Sequence, residues 1–142
     1  MKLRKFIKNT ITQYLNENIN DKIYSGEEVY KYFLTLGSEN PPHDNPIVNY
    51  KEQIISNNYI LKQININYII NNDVDIKYFV NNEIKDYSEG EKINSYGLIG
   101  DSSFAKDVVL DGFHRLTQKL ANGEKFMKFF VPINKHSKYE NI

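Results

Sequence analysis

Two short apolar runs, Val108-Val109-Leu110 and Phe126 to Val131, are joined by a glycine turn, a helical stripe and a second glycine stop, and this arrangement constrains the chain most. Val108 to Leu110 has the continuous apolar character of a strand buried on both faces. Asp111-Gly112 supplies the turn. Phe113, Leu116 and Leu120 then recur at three- and four-residue spacing, the stripe of a helix that faces a core. Asn122-Gly123 stops that helix after Ala121, and Pro132, which has no N–H to give a ladder, closes the last strand. The pattern excludes all-helical and all-β architectures. The expected fold class is α/β (α+β), a small mixed sheet with flanking helices.

The remaining segments are read by the same rules. Leu3, Phe6, Ile7, Ile11, Tyr14 and Leu15 mark an amphipathic helix over roughly the first eighteen residues. Ser25-Gly26-Glu27-Glu28 has capping-box spacing and opens a second helix through Val29, Tyr30, Phe33 and Leu34, with Gly37 as its stop. Pro41, Pro42 and Pro46 make the stretch from Ser38 an irregular loop, and Asn45-Pro46 starts a short helix that runs to Ile55. Alternation from Tyr59 to Ile70 predicts a strand, and Asp75 to Val80 a further extended or short helical piece. Residues 85 to 106 are mainly loop, with a short strand near Tyr96 to Ile99. The expected organisation is one domain over 1–142: a mainly helical part to residue 57, a core over 58–133 and a polar tail over 134–142.

Composition narrows the function classes. Of 142 residues, 40% are hydrophobic, enough for one modest core. Basic and acidic residues number 18 each, so net charge does not indicate a nucleic-acid coat, although a local basic patch remains open. Cysteine is absent, which removes disulfides, thiolate nucleophiles and cysteine-ligated zinc, and fits a reducing, cytoplasmic setting. No apolar run approaches the roughly 20 residues of a membrane span, and the basic opening at Met1 to Phe6 turns polar where a secretory signal would need its apolar core. Only Arg4 and Arg115 are arginine against 16 lysines, so each arginine points to a need for the planar guanidinium.

Chemistry concentrates at Asp111 to Arg115. A strand that turns on glycine into a helix leaves free N–H groups and the positive end of the helix dipole at the strand's end, an anion site by construction. Arg115 can grip a phosphate through two parallel bonds, His114 can donate to it or exchange a proton near neutral pH, and Lys119 shares the face of Arg115. The same residues also suit a plain helix start, with Asp111 as cap, Gly112 as turn, and His114 and Arg115 on the surface.

Val108-Val109-Leu110-Asp111-Gly112-Phe113-His114-Arg115-Leu116, followed by Gly123 and Phe129-Phe130-Val131-Pro132, resembles the nucleotide-binding core of the ParB/sulfiredoxin-like superfamily. The resemblance covers about residues 108 to 132, with Tyr59 to Ile70 matching the family's opening strand. It implies a nucleotide cofactor (ATP, ADP or CTP) with Mg²⁺, held by Gly112, Phe113, His114 and Arg115 at the helix start. Phe113 stands where sulfiredoxins have cysteine, which excludes sulfinic acid reduction, and where ParB-type proteins have an acidic residue. The pattern is nearest to the free-serine-kinase branch, in which Asp111 and His114 would be catalytic in a phosphotransferase or NTPase. The alternative is a non-catalytic, phage- or plasmid-associated DNA- or protein-binding adaptor of the same fold.

Other candidates are secondary. Ser102 and Ser103, with Lys106 behind them, lie just before the motif strand and are expected either to reach phosphate or to form a solvated loop. His43 and Asp44 share the proline loop, His136 falls in the polar tail, and three scattered histidines without cysteine define no zinc site. Tyr14, Tyr24, Tyr30 and Tyr32 follow helical spacing, which suits core or partner contacts better than base stacking.

Overall fold

In the computed structural model, which describes residues 22–36 and 46–140, five strands form one mixed sheet. They are Tyr24–Ser25 (β1), Asn58–Asn65 (β2), Gly97–Gly100 (β3), Val108–Asp111 (β4) and Phe126–Pro132 (β5), in the spatial order β1-β2-β5-β3-β4. β5 runs antiparallel to β2 and parallel to β3, and β4 returns antiparallel beside β3. The helices are Gly26–Leu36 (α1), Lys51–Ile55 (α2), Ile66–Asn72 (α3), Val74–Glu83 (α4) and Phe113–Ala121 (α5), with 3₁₀ segments at Pro46–Tyr50, Ile84–Asp86 and Ile133–Tyr139. The fold is a small mixed α+β domain, as the strand-turn-helix-strand pattern requires. The expected N-terminal helix, the Gly37 stop and the loop with His43 and Asp44 lie outside the described residues.

Both faces of the sheet are buried, because alternate residues of each strand feed two separate clusters. Tyr59, Leu98, Leu110 and Phe130 pack with Val29 and Phe33 of α1 and with Ile47 and Ile54. Their strand neighbours Ile60, Ile99, Val109 and Phe129 point the other way, to Ile66, Ile69, Ile76, Val80 and Leu116 from α3, α4 and α5. Period-two alternation between two cores explains why these strands read as continuous apolar runs instead of half-polar ones.

Capping chemistry sets the boundaries. Ser25 Oγ accepts the Glu28 N–H at 3.1 Å, so the capping box does start α1. The strand expected from Tyr59 to Ile70 stops at Asn65, whose side chain accepts the Asn67 N–H at 2.8 Å and caps α3. Alternation continued past that point because Ile66 and Ile69 are core residues of a helix, not of a strand. The segment from Asp75 to Val80 lies wholly within helix α4. Residues expected as a polar tail form instead the 3₁₀ segment Ile133–Tyr139, which buries Ile133, His136 and Tyr139. Among the described residues, no helix is long and apolar enough to cross a membrane.

Candidate functional site

The turn between β4 and α5 is built on Gly112, whose φ of 116° favours glycine. A Cβ there would come within 3.1 Å of the Gly97 Cα and 3.4 Å of the Met127 Cε. Gly112 is the N-cap of α5 and therefore offers no side-chain cap, so no side chain caps the first helical turn. Its carbonyl already accepts the Leu116 N–H at 2.8 Å, which starts the helical ladder.

Asp111 and Arg115 face one another across this first turn. Arg115 Nη2 donates to Asp111 Oδ1 at 2.8 Å, and the two side chains are only 20% and 23% exposed. The guanidinium also lies over the Phe33 ring, 5.7 Å from its centroid, while Nε is buried with no acceptor among the described residues. Burial pushes the Asp111 carboxyl above its ordinary value; Arg115, the Gly112 N–H and His114 pull the other way. Arg115 is therefore a half-buried structural partner of Asp111 as well as the motif's arginine. One lobe of Asp111 is committed to that pair.

His114 is exposed, but its Nδ1 shares a hydrogen bond with the Tyr87 hydroxyl, and its ring stands edge-on to Phe79 at 5.0 Å. Phe113 packs edge-to-face on the same Phe79 ring at 5.4 Å. These contacts fix the helix start against α4 and leave His114 with its second nitrogen, Nε2, to offer. Lys119 shares the side of Arg115 one turn on, as the spacing requires, yet its ammonium is buried and donates to the Ile93 carbonyl at 2.7 Å, with Glu124 at 3.5 Å.

Ser102 and Ser103 are not brought to this turn. They belong to the loop between β3 and β4, at the opposite end of β4 from Gly112, roughly 13 Å away at about 3.3 Å per strand residue. Ser102 Oγ instead organises that loop by accepting the Phe104 and Ala105 N–H groups, and Ser103 is exposed. Both serines precede β4 whereas Gly112 follows it, so the chain order itself sets them at opposite ends of the strand. His136, expected in solvent, is buried and hydrogen-bonds through Nδ1 with the Ile133 carbonyl.

The long segment before β3 is held in a way the sequence did not announce. Gln118 donates to the Ser88 carbonyl, Asn122 accepts the Gly90 N–H and donates to the Glu91 carbonyl, and Lys119 reaches Ile93. Side chains of α5 thus stand in for a missing backbone ladder. Between this tethered loop and the start of β5 lies a groove of about 600 Å³, at the same end of the sheet as Gly112. The polar spacing of Gln118, Lys119 and Asn122 was the available signal, but nothing local says that their partners lie some thirty residues back.

Among the described residues, no three His, Asp or Glu side chains gather as metal ligands. The carboxylate beside the helix start is Asp111, and it can turn its second oxygen to a cation carried by a ligand. Compared with protein families, characterised proteins and solved structures, the chain matches none of them significantly.

Proposed function

We propose that this chain binds a nucleotide, with Mg²⁺, through its phosphates at the start of α5, in the manner that the resemblance to the ParB/sulfiredoxin-like superfamily implies. The observation that carries the reading is the glycine cap: α5 begins on a residue of φ 116° without a side-chain cap, and the chain's one described arginine sits in that first turn. Backbone donors and a guanidinium converge there with the positive end of the helix dipole. Calorimetric titration of ATP, ADP and CTP with Mg²⁺ tests it, and absence of heat at millimolar nucleotide would reject it. In Arg115→Lys the charge remains but the fork is lost, and affinity is expected to fall by about 1–3 kcal/mol. Because Arg115 also holds Asp111, melts with and without nucleotide separate the two roles: a smaller ligand-induced rise in Tm reports binding, a lower Tm without ligand reports the pair.

A specific observation favours binding without turnover. Phe113 packs on Phe79, and His114 is tied to Tyr87, so the two positions next to the glycine are used for packing. Asp111 is held by Arg115, which leaves the second nitrogen of His114, Nε2, as the base that turnover would have to use. On this reading the protein is a nucleotide-responsive adaptor for DNA or protein, and retained affinity with no phosphate release is the expected result. Phosphate release that disappears in His114→Ala would instead establish a phosphotransferase or NTPase.

A further inference from the structure

The groove beside the far half of α5 carries a charge that the molecule as a whole does not. The chain has no net charge, yet Lys92, Lys119, Lys125 and Lys128 line this groove against a single carboxylate, Glu124. Glu124 is spoken for by Lys119 at 3.5 Å, whereas Lys92, Lys125 and Lys128 have no carboxylate partner among the described residues. Three unpaired lysines and a fourth, Lys119, thus line one cavity that holds a single, already paired carboxylate.

The groove is also built to persist. Its outer wall, residues 92 to 96, is tied to α5 by the Lys119 bond to Ile93, and Tyr96 is stacked on Tyr32 at 5.6 Å and 20° with its N–H donated to the Tyr32 hydroxyl. Its floor comes from Gln63 of β2 paired with Lys128 of β5, on the sheet face that α1 covers farther along. Phe126, 45% exposed, stands at its edge as an aromatic surface with nothing stacked on it among the described rings. A volume of about 600 Å³ is that of an ordinary small-ligand site.

We infer that this groove is a second binding site, distinct from the start of α5, for a ligand that carries several phosphates together with an aromatic base: a nucleoside polyphosphate or a short single-stranded stretch of nucleic acid. The lysines come from a loop, a helix, the following turn and a strand, so a lone phosphate would meet only some of them and a chain of phosphates meets more. Unpaired lysines track the phosphates while Phe126 offers a base its face, the combination that single strands and nucleotides share.

The experiment is fluorescence anisotropy at low salt with a labelled ten-nucleotide oligo-dT, in competition with ATP, inorganic tripolyphosphate and a poly-glutamate of matched charge. The oligonucleotide is expected to bind with affinity that falls as salt rises, the log–log slope shrinking by about 0.7 for each lysine removed in Lys92→Gln, Lys125→Gln and Lys128→Gln. These side chains are exposed and unpaired, so the variants fold, and unchanged melting curves verify it. Phe126→Ala is expected to weaken the oligonucleotide and ATP but to leave tripolyphosphate unaffected. ATP binding seen by calorimetry and weakened by the lysine variants, with no measurable oligonucleotide binding, assigns the site to free nucleotides; oligonucleotide binding that ATP does not displace assigns it to a strand. Equal binding of poly-glutamate, or binding insensitive to all three lysine variants, overturns the proposal. Arg115→Lys keeps the α5 reading separate: loss of binding there with the lysine variants intact sinks the groove and not the helix start, and the converse pattern does the opposite.

Discussion

Gly112 is the residue on which the turn depends, since its φ of 116° strains any residue with a side chain and a Cβ would press to 3.1 Å on the Gly97 Cα. Gly112→Ala is expected to cost about 1–3 kcal/mol from backbone strain alone, read as a lower denaturant midpoint at unchanged m. The partner residues make a pH-dependent prediction. Burial raises the Asp111 carboxyl above its ordinary 3.8, so the folded state holds that proton more tightly than the unfolded chain, and stability falls as pH rises through the folded value. Arg115 limits this loss by favouring the carboxylate. Arg115→Met removes that limit, and its Tm deficit against the wild type is expected to be larger at pH 7 than at pH 4. A deficit that is the same at both would mean that packing on Phe33, not the charge pair, is what Arg115 contributes.

At the scale of elements, the boundaries follow side-chain caps more than propensity. Asp73 is the strongest case: buried, it accepts the Ile76 N–H at 3.2 Å to cap α4 and, through its other oxygen, the Val109 N–H of β4 at 2.8 Å. Asp73→Ala removes a cap worth about 1 kcal/mol and leaves a buried N–H unmet at about 1–3 kcal/mol more, so it is expected to be among the most damaging single changes in the chain. Chemical denaturation measures it, with Ser25→Ala, which loses only an exposed cap, as the milder comparison. The strand-turn-helix-strand of residues 108 to 132 was legible because its signals are local: an apolar run, a glycine, a helical stripe. The end of β2 was not, because Ile66 and Ile69 keep apolar spacing across the boundary and only Asn65 marks it. Asp73 was illegible for another reason: one of its two partners is 36 residues away. Within the candidate site, the sequence showed that Arg115 and Lys119 share a side of α5, but not that each already has a partner.

Over the whole molecule, the two ends of the sheet respond to acid with opposite sign. At the end away from Gly112, burial works to raise the Asp107 carboxyl, but its bonds to Lys135 and Lys138 prevail and hold it below 3.8. A depressed carboxyl contributes stability that is present above pH 3.8 and is lost as pH falls below it, the reverse of Asp111. Asp107→Asn, which suits the residue's positive φ of 58°, is expected to flatten the acid limb of the stability curve while leaving the limb above pH 4 governed by Asp111. The same region depends on the last described segment: Tyr139 is buried against Tyr68, so cutting the chain after Pro132 is expected to lower Tm steeply, where loss of a solvated tail would change nothing.

The bond from Asp73 to Val109 has one more consequence. β4 is an edge strand, and its Val109 amide, which the β3 ladder does not need, would be free to recruit a strand from another molecule were it not already held by the Asp73 carboxylate. A strand of four residues so covered offers little to a neighbour. Loss of Asp73 would therefore do more than weaken a monomer: it would turn the border of the sheet into a template for self-association, seen as concentration-dependent growth in light scattering at temperatures where the chain is still folded.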